Sequence, residues 1–249
     1  YFFVGRFLGV EALGVYRVAF DLAMTPLEIV VTVVNRVAFP VYSRIAHDQK
    51  DLEAAFARSF RYLLLLLGPA VVFLSFESAD TIRVVASARW LPAVPIARLL
   101  GWAALLRGFA ELYPQIFFAI DRAEYAVYDA LVSLGVLAVG LALGLHFFGQ
   151  RWGLLVVVGV WLATYPIVLF VLARCTRRIA GIQAWPIVKQ LAPLSGALGA
   201  MAVPLAALSF LHLSALGAAA RLALFAGAGL GAYGLYLRWV LGIRLRDLR

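Results

Sequence analysis

Charged residues are scarce in this sequence. They make up 14% of its 249 residues, whereas hydrophobic residues make up 64%. Soluble domains carry about 25% charged residues, so this composition excludes a soluble globular domain. Long apolar runs take the place of the amphipathic pattern that soluble helices show. We therefore predict an all-α polytopic membrane protein.

Cysteine and histidine are also nearly missing. The single cysteine, Cys175, allows no internal disulfide, and the three histidines are scattered without the spacing of a metal site. The sequence lacks an aspartate-rich metal or diphosphate motif, a phosphate-binding loop, a G-x-S-x-G motif and an H-E-x-x-H motif. We therefore expect neither an enzyme nor a bound metal or other cofactor.

Positive charge exceeds negative charge, which gives a formal net charge of +9. In a membrane protein such an excess reflects cytoplasmic loops rich in arginine and lysine, so we predict no nucleic-acid partner. The first residues are already apolar and lack the charged n-region of a signal peptide. We interpret the chain as the later part of a longer transporter.

Seven stretches are long enough to cross the hydrocarbon core, which takes about 20 residues per helix. The glycines before the first stretch, Gly5, Gly9 and Gly14, predict a break or a bend. In the polar segment 41–58, Leu52 and Phe56 share one face of a short helix, which either lies on the membrane surface or simply connects two spans. Segment 77–93 is predicted to be a loop without a convergent site. The predicted spans are 15–40, 59–76, 94–120, 125–148, 152–173, 191–211 and 215–240.

Basic residues are distributed unevenly between the two ends of these spans. With segment 41–58 in the cytoplasm, twelve basic residues fall on the cytoplasmic side and four on the opposite side. Because cytoplasmic loops are enriched in arginine and lysine, we predict this orientation, which also places the C terminus in the cytoplasm. The cytoplasmic set is Arg44, Lys50, Arg58, Arg122, Arg174, Arg177, Arg178, Lys189, Arg238, Arg244, Arg246 and Arg249.

The first predicted span carries several charges. Asp21, Glu28 and Asn35 fall on one helical face, and Arg17 lies one turn before Asp21. Charge within a membrane is costly, so this face must contact protein or water. One interpretation is an ion pair between Arg17 and Asp21 that only reduces the cost. The other, which we favour because Glu28 has no basic residue within one turn, is a helix lining a hydrated cavity.

The third predicted span repeats this pattern. Arg107 and Glu111 lie four residues apart and can pair on one helix, while Arg107 is deep enough to line the same cavity. Arg98 lies nearer the membrane surface and is expected to reach it. Guanidinium groups bind phosphate oxygens in bidentate fashion, so arginines in a cavity suit an anionic ligand. The predicted cavity residues are Arg17, Asp21, Glu28, Arg107 and Glu111.

Several segments resemble bacterial polysaccharide flippases of the O-antigen and colanic-acid type, which belong to the multidrug/oligosaccharidyl-lipid/polysaccharide exporter superfamily. The resemblance rests on residues 5–19, on Pro26 and on residues 37–44 (Val-Ala-Phe-Pro-Val-Tyr-Ser-Arg), and it continues at residues 90–93 and 119–122. This chain departs from the family in having no glycine in the turn before Trp90 and none directly after Ala119.

The resemblance implies two six-helix lobes around a central cavity that opens alternately to each side. It implies transport of an undecaprenyl-pyrophosphate-linked oligosaccharide from the cytoplasmic to the periplasmic leaflet of the bacterial inner membrane, for polysaccharide biosynthesis. Residues 1–180 would form the second lobe and residues 181–249 an additional pair of transmembrane helices, with the first lobe absent from the chain. Membrane lipids and glycan polymerase or assembly proteins are the other expected partners.

Two alternatives remain open at this point. One is a cation-coupled multidrug or small-molecule exporter of the same superfamily, in which Asp21 and Glu28 would bind H⁺ or Na⁺. The other is a membrane enzyme or a scaffold of glycan assembly. An enzyme of that class would need a large periplasmic loop, which the predicted spans do not leave room for.

Overall fold

A computed structural model describes residues 1–210, 217–239 and 242. Every secondary-structure element in this part of the chain is helical, as expected where lipid offers the backbone no hydrogen bonds. Seven helical segments, counting Ala88–Ala119 as one, are long and apolar enough to cross a membrane, which confirms the predicted fold class and span number. The elements are α1 (Phe2–Ile45), α2 (Gln49–Val85), a 3₁₀ helix (Ala88–Ala93), α3 (Val94–Ala110), α4 (Tyr113–Ala119), α5 (Ala123–Trp152), α6 (Leu154–Ala180), α7 (Ala184–Phe210) and α8 (Ala218–Trp239).

The C-terminal end of the chain lies largely outside the described residues. The last residue of the sixth predicted span and both ends of the seventh fall there. Three of the twelve basic residues used to orient the chain, Arg244, Arg246 and Arg249, fall there as well. The cytoplasmic location of the C terminus therefore stays a prediction.

The predicted surface helix within 41–58 is wrong. Only a short turn separates α1 from α2, and the Asp48 carboxylate caps α2 by accepting the first backbone N–H groups. Leu52 and Phe56 do share a face, but both are buried. Phe56 packs edge-to-face against Tyr42 of α1, with ring centroids 6.3 Å apart. The apolar face that the sequence shows is therefore covered by protein rather than by lipid headgroups.

The predicted loop at 77–93 is also wrong, because most of it is helical. α2 passes through a local break at Glu77 (φ −104°, ψ 15°) and continues to Val85. Ser78 and Ile82 are completely buried in this last part of α2. Ser78 and Asp80 are accommodated here because they meet Arg98 of α3 and Arg221 of α8.

The break predicted among the first glycines is confirmed at Gly9. Its φ of 87° and ψ of 174° interrupt α1, in a region that glycine adopts without steric cost. A second interruption divides the third predicted span between α3 and α4. Pro114 lies in the first turn of α4, where the missing N–H of proline costs no hydrogen bond.

α2 is the central helix of the structure. It packs against α1, α3, α7 and α8, while α5 packs mainly against α6. Glycines allow close contact where α2, α7 and α8 meet. A Cβ atom at Gly68 would overlap Leu198, and one at Gly229 would lie 3.1 Å from Met201.

The turns gather at two ends of the bundle, in the alternating order that the predicted spans require. At one end, the Gln49 side chain donates a hydrogen bond of 3.0 Å to the backbone carbonyl of Gly181, and Arg122 lines a cavity together with the α1–α2 turn. We call this the basic end. At the opposite end, Pro92 and Trp152 line one cavity.

Among the residues that the structure describes, two non-glycine residues have positive φ angles, Ser87 at 108° and Asp121 at 59°. They lie next to the positions where the sequence departs from the glycine-containing turns of the resembling family. The conformation of Ser87 (φ 108°, ψ 163°) is adopted almost only by glycine. The turn thus keeps a glycine-like shape without the glycine.

Candidate functional site

Helix α1 exposes the charged face that its sequence predicts. Arg17 Nε lies 3.8 Å from Asp21 Oδ2, and the two side chains are 74% and 59% exposed. The Tyr1 hydroxyl donates a hydrogen bond of 3.5 Å to Asp21 Oδ1. Glu28 is exposed on the same face and makes no ion pair with any residue that the structure describes. The local pair forms as predicted, but no described helix covers it.

The second predicted pair lies where α3 ends. Arg107 Nε is 2.6 Å from Glu111 Oε1, and both side chains are partly exposed. Arg107 also approaches α1, because its Nη1 lies 4.0 Å from the sulfur of Met24. Met24 falls one turn after Asp21 and one turn before Glu28, so the contact brings the α3 pair beside the charged face of α1.

The five predicted residues thus lie on two helices that meet at Met24: Arg17 pairs with Asp21 on α1, and Arg107 pairs with Glu111 at the end of α3. Glu28 lies close enough to Arg107 to contribute to its electrostatic environment. The group contains three carboxylates and two guanidinium groups. Its formal charge is slightly negative, so it is not by itself a strongly positive anion site. It offers carboxylate oxygens as hydrogen-bond acceptors beside two cationic donors.

Asn35 links the same face of α1 to the break between α3 and α4. Its amide nitrogen donates a hydrogen bond of 3.4 Å to the backbone carbonyl of Glu111. Glu111 ends α3, and such a break frees a carbonyl that lipid cannot satisfy. The Asn35 side-chain oxygen is buried without a partner among the described residues. We therefore assign Asn35 to the support of the Arg107–Glu111 pair.

Helix α6 contributes aromatic residues that the sequence reasoning missed. The Trp161 ring lies 6.0 Å from the Arg107 guanidinium carbon, within the range of a cation–π contact. Trp161 also packs on Phe20 of α1, at 5.5 Å, and on Tyr165, at 5.7 Å. The spacing of Trp161 and Tyr165 by one helical turn is the sequence signal that could have indicated them.

A second group of charges lies at the end of the bundle opposite the basic end. The sequence did not predict this group. Asp80, 7% exposed, accepts hydrogen bonds from Arg83 at 2.8 Å and from Arg221 of α8 at 2.5 Å. Arg98 donates to Ser78 at 3.0 Å rather than only reaching the surface. This group joins α2, α3 and α8, and the Asp80 carboxylate is paired with two arginines. Its arrangement is that of an internal support.

A cavity of about 390 Å³ adjoins the charged face of α1. Asp21, Thr25 and Pro26 line it from α1, and Ile82 and Val85 line it from the end of α2. Across residues 1–210 and 217–239, no three histidine, cysteine, aspartate or glutamate side chains come together as metal ligands. The chemistry that this region offers is therefore hydrogen bonding and charge, next to an apolar wall.

Comparison with known proteins agrees with the resemblance found in the sequence. Residues 1–95 match the family model described as "Polysaccharide biosynthesis protein". The chain is 32% identical over 173 residues to the teichuronic acid biosynthesis protein TuaB of Bacillus subtilis (strain 168). The aligned residues make up 69% of this chain and 34% of TuaB. It is also 26% identical over 171 residues to the succinoglycan biosynthesis transport protein ExoT of Rhizobium meliloti (strain 1021). Here the aligned residues make up 67% of this chain and 34% of ExoT.

A third relative is named for the biosynthesis of another glycan, lipopolysaccharide. The lipopolysaccharide biosynthesis protein WzxC of Escherichia coli (strain K12) is 23% identical over 141 residues, which cover 55% of this chain and 29% of WzxC. The matched part of the chain thus spans about a third of the length of these curated relatives. No solved structure matches the chain. The chain is a multi-pass membrane protein, and its first 95 residues match the polysaccharide biosynthesis protein family.

Proposed function

We propose that this chain is the second lobe of a flippase that moves an undecaprenyl-pyrophosphate-linked oligosaccharide across the bacterial inner membrane for polysaccharide biosynthesis. The observation that carries the proposal is the uncovered charge on α1. Arg17 and Asp21 are more than half exposed on a membrane-spanning helix. Charges at this depth cannot face lipid at an acceptable cost, so the face needs a protein partner or water opposite it.

A central cavity between two lobes meets that need. In this arrangement a first lobe, outside the chain, lies opposite the charged face of α1, and the hydrated space between them carries the substrate. The printed names of the relatives support this class of substrate, since they refer to teichuronic acid, succinoglycan and lipopolysaccharide biosynthesis, and one of them to transport. Residues 1–180 then form the lobe, and residues 181–249 the additional pair of transmembrane helices.

The residue types indicate which parts of the substrate each side chain in the cavity would bind. Arg17 and Arg107 are placed to bind diphosphate oxygens, whereas Asp21, Glu28 and Glu111 accept hydrogen bonds from sugar hydroxyl groups. The excess of one carboxylate keeps the empty cavity from holding the diphosphate too tightly. The basic end faces the cytoplasm, as does the C terminus. Glycan polymerase and assembly proteins are the expected partners in the membrane.

The test replaces the charges in the full-length protein. A variant with Arg17, Asp21, Glu28, Arg107 and Glu111 all changed to alanine should lose at least about tenfold in transfer of a labelled lipid-linked oligosaccharide in proteoliposomes, which corresponds to about 1.4 kcal/mol of transition-state stabilisation. A matched control changes the exposed apolar residues Ile29 and Val33 of the same helix to alanine. Equal transfer by the charge variant and the wild type would refute the proposed cavity.

The acidic excess supports one other candidate, a cation-coupled exporter of small molecules. Of the three carboxylates among the predicted cavity residues, Glu28 is the one that makes no ion pair with any described residue, which leaves it available to a cation. Glu28→Gln would then abolish the dependence of transport on an H⁺ or Na⁺ gradient. Transfer of lipid-linked oligosaccharide without any such dependence, in both wild type and E28Q, excludes this candidate.

A further inference from the structure

The basic end of the bundle contains a polar cavity of about 480 Å³, remote from the charged face of α1. Three turns build it: the α1–α2 turn, the α4–α5 turn and the end of α6. His47, Arg122 and Arg178 supply its basic side chains, one from each turn. Its size is that of an ordinary small-molecule pocket.

A hydrogen bond between the Gln49 side chain and the Gly181 backbone joins two walls of this cavity. Gly181 ends α6 in the left-handed conformation, with φ 70°, and its carbonyl accepts the Gln49 hydrogen bond from the start of α2. A Cβ atom at Gly181 would overlap the Gln49 side chain. The α1–α2 turn and the end of α6 are thus locked together, and the cavity between them keeps its shape.

The charges around the cavity favour an anion. No carboxylate is among the described residues that line it. Arg178 forms no ion pair in the described part of the chain, and Arg122 has only a long contact of 3.5 Å with the exposed Glu124. The nearby Asp48 carboxylate is already used to accept the Lys50 and Asp51 backbone N–H groups. Two guanidinium groups therefore remain available to bind oxygens.

The first turn of α5 adds to this preference. Arg122 and Tyr125 line the cavity, and α5 begins between them. No side chain in the described part of the chain caps this helix N-terminus, so its first amide groups present partial positive charge. A helix N-terminus beside two arginines is an arrangement suited to a phosphate group.

Neighbouring side chains indicate the depth of the cavity in the membrane. Trp185, at the start of α7, is largely exposed at the same end, and the Lys189 ammonium lies 5.6 Å from the centre of its ring. Exposed tryptophan beside lysine is typical of the headgroup region. The cavity therefore opens where the phosphates of lipids lie, and basic pockets between transmembrane helices at this depth bind anionic headgroups.

We propose that the cavity bounded by His47, Arg122 and Arg178 binds the phosphate group of an anionic lipid. The proposal does not depend on the flippase function, since the site is separate from the charged face of α1. Arg122 and Arg178 bind the phosphate oxygens, and His47 closes the site from the α1–α2 turn. The same chemistry would accept soluble phosphate, and the experiment separates the two sources.

The experiment measures lipid retained by the purified full-length protein. The protein is placed in nanodiscs of phosphatidylcholine with a minor fraction of phosphatidylglycerol, and native mass spectrometry counts the phosphatidylglycerol that stays bound. The wild type should retain it, and Arg122→Gln/Arg178→Gln should retain at least about tenfold less. Arg122→Lys/Arg178→Lys keeps the charge but loses bidentate geometry, so its retention should fall between the two.

The matched control is Arg174→Gln/Arg177→Gln, which removes the same amount of charge, from the part of α6 next to Arg178, at residues that do not line the cavity. It should retain phosphatidylglycerol within about threefold of the wild type. Equal loss in the control and the cavity variant would show that only general surface charge attracts the lipid, which overturns the proposal. Saturation of the site by inorganic phosphate, without any retained lipid, would equally overturn the lipid assignment. Circular dichroism of each variant confirms that its helices are intact.

Discussion

The buried carboxylate of Asp80 should be the charge on which the stability of this chain depends most. Asp80 accepts hydrogen bonds from Arg83 of its own helix and from Arg221 of α8, which follows it by 141 residues. Replacing Asp80 with alanine removes the common partner of both arginines. Arg221 then keeps its charge while its guanidinium, 24% exposed, remains largely inside the protein.

The magnitude follows from the burial of the two partners. Breaking a fully buried ion pair costs about 3–5 kcal/mol, because the remaining charge is left without compensation. Arg221 retains some contact with solvent and Arg83 is 42% exposed, so we place Asp80→Ala near the lower limit, at about 3 kcal/mol. Arg83→Ala should cost less than about 1 kcal/mol, as exposed ion pairs do.

Reversible unfolding of the purified protein in detergent, followed by circular dichroism, measures these free energies. A double-mutant cycle with Asp80→Ala and Arg221→Ala should give a coupling energy of at least about 1 kcal/mol, since the two side chains are in direct contact. Arg83→Ala is the matched control for Arg221→Ala, because it also removes one arginine that binds the Asp80 carboxylate. Destabilisation by Asp80→Ala of less than about 0.5 kcal/mol, or strictly additive single effects, would refute the assignment of this group as an internal support.

Three further predictions concern the turns and the charged face. Ser87→Gly should stabilise the chain by about 1 kcal/mol by removing the strain of its positive φ, and a lower midpoint of thermal unfolding would contradict this. Gly181→Ala should cost about 1–2 kcal/mol, from the left-handed φ and from overlap with Gln49; an unchanged midpoint would show that the contact yields easily. Arg17→Ala and Asp21→Ala should each change unfolding free energy by less than about 0.5 kcal/mol while reducing transport, and a large loss of stability would instead assign the pair to the support of the fold.

Local ion pairs could be predicted from the sequence, and the structure contains them. Arg107 and Glu111 lie four residues apart, and the periodicity of one helix is enough to bring them together. Contacts between helices could not be predicted in this way. The link from Asn35 to Glu111 joins residues 76 positions apart, and nothing in a single apolar sequence specifies which helices become neighbours.

The two wrong predictions have a common cause. From the sequence alone, the polar residues in segments 41–58 and 77–93 predict a loop or a helix on the membrane surface. In the structure, α1 and α2 occupy most of the first segment and α2 extends into the second as far as Val85, because Asp48 serves as a helix cap and Asp80 meets two arginines. A polar residue that finds a partner within the protein does not require water, and only the packing of the helices provides that partner.

The sequence by itself determined that the described part of the chain is helical and that it contains seven helical segments long and apolar enough to cross a membrane. Lipid imposes these features, since a backbone in hydrocarbon must satisfy its own hydrogen bonds. The tertiary structure decided which charges are enclosed and which are uncovered. Asp80 is sealed by α8, whereas Arg17 and Asp21 remain exposed on α1. In the sequence, Arg17 with Asp21 and Asp80 with Arg83 are simply charged residues four or fewer positions apart. The cost of a charge in a membrane depends on what packs opposite it, and only the tertiary structure decides that.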